Sequence, residues 1–473
     1  MARVADGTEG HVPGPLVADR FDGPVLVPGD AAYDTERSGF QTGYRHRPDV
    51  IVGATGADDV CAAVRYATGH GLPLAVQATG HGLSLPLRGG VLLSTSRMTG
   101  VRVDASARTA RIEAGVRWGQ VVEEAARYGL APLSGSGPGV GAVSYILHGG
   151  IGLLARQYGY AADHVRSIDL VTADARPRHV TADSDPELFR ALRGGGGTLG
   201  VVTGMEIGLM PVDRFYGGQL LFGGESAADV LEAWREWTGG VPEELTSSVT
   251  VLPYPDLPVL PEHLRGRYVA QVQVAHHGTE AEGERLVAPL RAVAPRLSDT
   301  LRTMSYAESA RVYNEPDQPH AYQGGNVLLG DRLPDPAALR SVLELTGPDA
   351  PAMTVLSLRH LGGALGREPA VPNAVGHREA GFLLGVLSVT EGSDPAVLRT
   401  LHEKVFEVAA PWTVGANLNF RYGRAGRTAP GQAGAAHDAG TRRLLAGLKA
   451  SLDPANLFRF HHAVPGGAPP DGA

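Results

Sequence analysis

Three glycine-rich segments set the tightest limit on what this chain can fold into. Leu133 to Gly152 reads LSGSGPGVGAVSYILHGGIG and carries seven glycines in twenty residues. Arg193 to Gly200 reads RGGGGTLG, and Gln77 to Ser84 reads QATGHGLS. Each adjoins a strand-like stretch, so each predicts a loop whose backbone N–H groups, with no Cβ in the way, can approach an anion closely. Together they predict a large, phosphate-bearing cofactor.

Composition narrows the cofactor and the partner. The 473 residues suffice for two large domains or about three smaller ones. With 42 basic against 50 acidic residues and a net charge of −8, there is no basic surplus for nucleic acid or an anionic membrane, which points to a small-molecule partner. The lysines are Lys404 and Lys449, and neither follows a glycine-rich loop. A GxxxxGK[ST] phosphate loop is therefore excluded, and a Schiff-base lysine is disfavoured. Arginine in place of lysine, with 64 Gly and 34 Pro, is the codon signature of a GC-rich, actinobacterium-like genome. The single cysteine, Cys61 in DDVCAAVRYA, permits neither an internal disulfide nor a cysteine-based zinc site and reads as a core residue. The first residues lack an apolar core for export, and no run of ~18 apolar residues occurs, so the expectation is a cytoplasmic protein.

Periodicity predicts an α+β organisation. A loose Gly/Pro-rich arm over 1–24 precedes a strand at DVIVGA, a helix from Asp58 to about His70, strands at PLAVQA and VLLST, the hairpin GVRVDA/ARIEAG and a helix from Trp118 to Tyr128. The second glycine run feeds the strand VVTGMEIGLM. After Pro211 the rhythm changes. Strands are expected near 216–223, 246–253, 267–276, 352–359 and 381–390, with helices near 226–238, 279–292, 335–346 and 395–410, as in an antiparallel sheet with helices on one face. From Trp412 the chain returns to glycine-rich sequence, a charge-poor loop GRAGRTAPGQAGAA, a helix from Thr441 to Leu452 and the segment LDPANLFRFHHAVP.

Within this frame GIGLLA, Gly150 to Ala155, matches a dinucleotide fingerprint with Asp174 downstream, but no strand–turn–helix unit precedes it, so a nicotinamide Rossmann domain is disfavoured. More informative is His81 between two glycines directly after a buried-looking strand, with the other glycine segments ~50 and ~110 residues on. The paired histidines His276/His277 and His461/His462 lack an HExxH pattern or acidic cluster and read as surface or packing residues rather than metal ligands.

The order of VIVGATGADDVCAAVRYATGHGLPLAVQATGHG, GVRVDASARTARIEAGVRWGQVVEEAARYGLAPLSGS, GGIGLLARQYGYAADHVRSIDLVTAD, ELFRALRGGGGTLGVVTGMEI, NLNFRYG and LDPANLFRFHHAVP resembles the berberine bridge enzyme-like FAD-linked oxidases of the vanillyl-alcohol oxidase superfamily. The resemblance covers most of the chain. It implies a two-part PCMH-type FAD-binding domain from residues 25–211 and 412–473, with a substrate domain of antiparallel sheet plus helices inserted over 212–411. It also implies covalent FAD, with His81 at the position that bonds the flavin 8α-methyl. Gln77 and Thr79 stand where relatives carry arginine and glycine. Many relatives add a cysteinyl bond from the second glycine segment, but SGSGPGVG has no cysteine, leaving a single link through His81.

Further FAD contacts implied by the resemblance are Ala78, Gly80, Gly82, Ser136, Gly139, Gly141, Ser144, Gly149, Gly150, Gly152, Gly200 and Val202, besides Gln77 and Thr79. Asn417 and Asn419 occupy the family's C-terminal Y-x-N motif, in which the tyrosine often serves as catalytic base. An amide cannot take that proton at neutral pH. Candidate catalytic residues are then Tyr145, His148 and Tyr422, a phenol needing a neighbouring cation to act as a base. Arg359 and His360 fall on opposite faces of a strand, so one of them can face the flavin, with Ser357 on the Arg359 side.

The resemblance implies an oxidase that passes hydride from an alcohol or related C–H of a secondary-metabolite intermediate, in antibiotic assembly, to the flavin, with O2 as acceptor and a monomer or homodimer as the working form. A favorskiiase-like enzyme that oxygenates a polyketide through a flavin N5-oxide is the alternative. A flavin-binding protein without catalysis and a nicotinamide dehydrogenase complete the range.

Overall fold

The computed structural model describes residues 20–258, 260–422 and 435–460. Most of the N-terminal arm, most of the GRAGRTAPGQAGAA segment and His461/His462 lie outside them. The described residues build three sheets. In the first, β2 (Val50–Gly53), β3 (Leu74–Gln77) and β4 (Val91–Ser94) run parallel in the order β2-β4-β3, and β1 (Val25–Leu26) joins antiparallel at the β2 edge. β2 and β4 are buried at every position, as expected for parallel strands covered on both faces. The helix Ala57–Gly69 supplies one cover, packing Val60, Cys61, Ala63 and Val64 against Val52 and Leu93. Across the outer edge of β3 the chain returns from far downstream, and Leu74 N donates to Leu457 O at 3.1 Å.

The second sheet is antiparallel, ordered β5 (Val101–Asp104), β6 (Thr109–Glu113), β9 (Val201–Gly208), β7 (Val165–Val171), β8 (Pro177–Val180). The helices Trp118–Ala126, Ala142–Leu147 and Pro186–Leu192 share its core, and Leu445 of the late helix Ala439–Leu452 is buried there too. That late helix is pinned by its lysine. Lys449 Nζ donates to Asp453 Oδ2 (2.6 Å), Phe458 O (2.9 Å) and Thr198 O (3.0 Å), tying this helix and the segment after it to the glycine run 193–200.

The third sheet has nine strands, β10 (Arg214–Gly223), β11 (Leu245–Pro253), β12 (Tyr268–His276), β13 (Arg296–Asp299), β14 (Arg302–Ser305), β15 (Tyr322–Leu329), β16 (Thr354–His360), β17 (Phe382–Val389) and β18 (Thr413–Gly415). Four of these, β13, β14, β15 and β18, are absent from the sequence reading. β15, YQGGNVLL, was hidden by two central glycines that lower strand propensity. The helices Ala227–Trp237, Glu280–Arg291, Pro336–Thr346 and Pro395–Ala409 fall where periodicity placed them. One sheet face packs Val249, Val251, Ala270, Val272, Leu356, Leu358 and Leu384 in the apolar core that these helices cover. The opposite face is polar yet largely buried, with Gln219 at 9% exposure, Gln271 at 5%, Gln273 at 2% and Ser248 at 1%. Alternation such as QVQV in β12 usually marks a wetted face. Here both faces are covered.

Candidate functional site

The site is built from the turn after β3 upward. Gly80 has φ +71°, and a Cβ there would come within 2.6 Å of Gly39 Cα, so the turn needs glycine for both its backbone and its packing. Three carbonyls of the turn are committed. Thr79 O accepts from Phe40 N (2.9 Å), Gly80 O from Gln41 N (3.2 Å) and His81 O from the Tyr322 hydroxyl (2.6 Å). Among the described residues, the N–H groups of Thr79, Gly80, His81 and Gly82 have no hydrogen-bond partner within the chain. Carbonyls turned in and donors left over make an anion-binding concavity. Gly82 is exposed, with open space where a side chain would stand.

The His81 ring is held on one face and one edge. Phe40 stacks on it at 4.0 Å between centroids with an 8° interplanar angle, and Nδ1 lies 2.9 Å from Thr79 Oγ1. Burial above all, helped by Arg117 and His320, lowers its pKa to about 4, so the ring is neutral at physiological pH. With Nδ1 engaged, Nε2 looks toward the glycine-rich segment 133–152, and a Cβ added to Gly139 would lie 3.7 Å from it. Gln77, at the end of β3, turns its amide away, donating to Ser38 O at 3.3 Å. Ala78 is half-buried between them.

The segment 133–152 faces this turn. Ser136 and Gly139 lie in its loop, Gly141 caps the helix Ala142–Leu147, and Ser144 Oγ donates back to Gly141 O at 3.2 Å. A Cβ at Gly150 would strike the Tyr145 ring at 2.5 Å, one at Gly152 the Ser134 carbonyl at 2.4 Å, and one at Gly200 the Val171 carbonyl at 2.8 Å. These three glycines answer to packing within the chain. Gly149 and Gly150 take φ +104° and +79°. Val202 lies in β9, buried and in register with Leu170.

Asn419 clamps this turn. Its Oδ1 accepts from Gly150 N and its Nδ2 donates to Tyr145 O, both at 2.8 Å. Asn417 in turn holds Asn419, accepting from its N–H at 2.8 Å, while Asn326 of β15 bonds both the N–H and the carbonyl of Asn417. The two asparagines therefore form a relay that ties the late chain to the helix carrying Tyr145.

Three residues expected to act as bases are placed in different surroundings. Tyr145 is buried, its hydroxyl has no partner, and burial raises its pKa well above that of a free phenol, although Arg359 opposes the shift. Tyr422 is likewise raised by burial and by Glu315, and its ring meets Tyr322 edge-on at 5.3 Å. His148 is buried, its pKa lowered, with Nδ1 2.7 Å from Ser144 O and its other edge facing Gly196. Both phenols stay protonated at neutral pH.

The polar face of the nine-stranded sheet closes the site, and it brings in residues that no motif announces. Arg359 faces Tyr145, Tyr422 and Glu315, and His360 turns the other way, within 2.6 Å of Arg156 Nη1. Arg359 Nη1 donates to the Tyr313 hydroxyl (3.1 Å), which meets Ser248 Oγ at 2.7 Å, and Ser248 Oγ donates to Gln273 Oε1 at 2.9 Å. Ser357 shares the Arg359 face and stands opposite Gly385. Glu315 stands at the lip, beside Gly137. Tyr313 and Glu315 precede β15 in a connection without periodicity and belong to no strand ladder, so no sequence signal marks them.

Among the described residues no His/Cys/Asp/Glu group is placed to hold a metal ion, and no helix is long and apolar enough to cross a membrane.

Residues 48–181 match the family model described as an FAD binding domain. The (R)-6-hydroxynicotine oxidase of Paenarthrobacter nicotinovorans is 33% identical over 299 residues, covering 61% of this chain and 62% of that protein, less than two thirds of its length. An uncharacterized FAD-linked oxidoreductase of Bacillus subtilis is 25% identical over 465 residues, 94% of this chain and 97% of that one. Among solved structures, 6-hydroxy-D-nicotine oxidase from Arthrobacter nicotinovorans matches with a TM-score of 0.79 at 25% identity, over 94% of this chain and 98% of that one. BBE-like 1 of Physcomitrella patens shares the fold, with a TM-score of 0.80 at 18% identity over 94% and 97% of the two chains.

Proposed function

We propose that the chain is a berberine bridge enzyme-like FAD-linked oxidoreductase, an oxidase that holds FAD by one histidyl bond at His81. Its substrate is a secondary-metabolite intermediate that gives up hydride from a C–H beside an alcohol or related group, with O2 as the acceptor. The observation that carries the reading is the His81 turn. It combines unpaired donors at residues 79–82, open space at Gly82 and a neutral imidazole edge opposite Gly139. That donor set suits a diphosphate, and the imidazole suits attachment to the ring. Cys61 is buried in the helix Ala57–Gly69 and offers no second link.

When bound, FAD supplies a two-electron acceptor whose reduced form passes electrons to O2. The chain's part is orientation. Asn417 and Asn419 fix the helix carrying Tyr145, and Arg359 with the Tyr145 hydroxyl presents positive charge and a donor to a substrate oxygen. Asn417 has no proton-accepting nitrogen, and burial keeps Tyr145 and Tyr422 protonated, so these groups stabilise a developing oxyanion rather than generate it.

The test is to photoreduce the yellow purified protein without air and mix it with aerated buffer. An oxidase returns to yellow within seconds and yields one peroxide per flavin. A reduced flavin that persists for minutes overturns the oxidase reading.

A further inference from the structure

The guanidinium of Arg359 is half-buried and has no ion-pair partner among the described residues. The charged and titratable groups that face it are Tyr313, Glu315, Tyr422 and Tyr145. Of these only Glu315 is a carboxylate, and it makes no salt bridge with Arg359. Phe420 and Tyr313 lie against the guanidinium, their ring centroids 4.7 and 5.1 Å from Cζ. Aromatic cover of that kind leaves the in-plane N–H groups as the means of hydrogen bonding.

Of those donors one Nη1–H is spent on the Tyr313 hydroxyl, while Nε is buried and has no partner. The Tyr145 hydroxyl, on the FAD-binding side, is also buried without a partner, and the two groups are within electrostatic reach of each other. A buried donor left unpaired is costly, so two of them within electrostatic reach of each other mark a place that an acceptor can fill. The donor chain Arg359, Tyr313, Ser248, Gln273 runs in one consistent direction and holds the guanidinium in place before anything binds.

We propose that Arg359 Nε and the Tyr145 hydroxyl together receive an oxyanion on a planar carbon of the substrate, a carboxylate or an enolate, so that the substrate enters already deprotonated. The inference rests on the reading of this cleft as the substrate side of the flavin site, and it deepens it. An enolate that gives up hydride from the neighbouring C–H becomes a neutral enone with no proton left to lose, so it needs no base at Asn417, whereas a carboxylate held here only anchors the substrate. The fixed cation offsets the charge and orients the molecule through a planar fork.

Calorimetric titration of the yellow holoprotein with benzoate and with benzamide tests this, because the two differ in charge and little in shape. Wild type is expected to bind benzoate at least tenfold more tightly. Arg359→Leu should weaken benzoate by about 30-fold and leave benzamide within about twofold, the loss expected for a charge-assisted hydrogen bond. Arg359→Lys keeps the charge without the fork and should recover part of the loss, and Tyr145→Phe should cost benzoate a few-fold. A cyclic 1,3-diketone, anionic at neutral pH, compared with its neutral enol ether shows whether an enolate is taken as readily as a carboxylate. Equal binding of benzoate and benzamide by a yellow, folded wild type overturns the inference and leaves the oxidase reading standing, as does an Arg359→Leu variant that weakens both ligands equally. A colourless protein overturns the oxidase reading and the inference with it.

Discussion

The hydroxyl of Tyr322 donates to the carbonyl oxygen of His81 at 2.6 Å, joining positions 241 residues apart in sequence. Through this bond the nine-stranded sheet holds the turn that presents the imidazole. Gln41 bonds the Tyr322 backbone from both sides, its amide donating to Tyr322 O and accepting from Tyr322 N, so the phenol is fixed at its base as well as its tip. Tyr322→Phe removes one hydrogen bond of a buried group, about 1 kcal/mol. The expected outcome is a modest fall in melting temperature and a smaller fraction of flavin retained in the acid-precipitated pellet.

The proposed attachment through His81 has a direct readout. Acid precipitation of wild type should give a yellow pellet, and His81→Ala a colourless pellet with yellow supernatant. Thr79→Val removes the hydroxyl 2.9 Å from Nδ1 while keeping the side-chain volume, so it should slow attachment of added FAD several-fold without abolishing it. Full flavin in the wild-type supernatant would contradict the tether.

Asn419 is expected to matter as a clamp. Asn419→Ala deletes the bonds to Gly150 N and Tyr145 O, for about 2 kcal/mol in total at about 1 kcal/mol each. Differential scanning calorimetry should show the drop. Asn417→Tyr should also destabilise the protein, because Asn417 is 6% exposed and its side chain accepts from Asn419 N.

Lys449 and Asp453 form an ion pair with relative exposures of 9% and 0% for the two side chains. Asp453 also accepts from Leu457 N and Phe458 N. Lys449→Met leaves a buried carboxylate without its cation, and the expected cost is about 3–5 kcal/mol. Lys449→Met combined with Asp453→Asn should recover part of that loss in chemical denaturation. Additive losses would refute the pairing.

Acid stability follows from buried neutral histidines. Burial lowers the pKa of His46, His402 and His437 to about 4 and that of His360 to about 3. Unfolded, these rings take up a proton near pH 6.5, and folded they do not. Stability is therefore full above pH 6.5 and declines as the pH falls toward 4, at a rate approaching about 1.4 kcal/mol per pH unit for each such ring. Melting temperatures measured from pH 7.5 to 4.5 should fall accordingly, and His402→Gln should flatten the slope. A flat profile in wild type contradicts this account.

Much of the layout was legible in sequence because it rests on local signals. The glycines around His81 and the apolar spacing of the helices after Pro211 are both short-range patterns. Strand alternation puts Arg359 and His360 on opposite faces, and register sets Arg359 on the polar sheet face, opposite Ser248 in β11. The partners of Arg359 were not legible. Tyr313 and Glu315 sit in a connection without period, and Ser248 and Gln273 look like ordinary solvent-face residues until the polar face is covered. Asn417 read as a missing base. Its actual bonds, to Asn326 and Asn419, depend on β15, whose central glycines conceal the strand.

The bond from Leu74 N to Leu457 O also bears on how the chain is made. β3 is the outer strand of its sheet, and the segment that seals it is translated last among the described elements. The roughly 380 intervening residues, at about 5–20 residues per second, leave that edge bare for about 20 s to more than a minute on the ribosome. The turn that carries His81 extends from the same strand. The nascent protein therefore has to guard an open β edge beside that turn until Leu457 has been made.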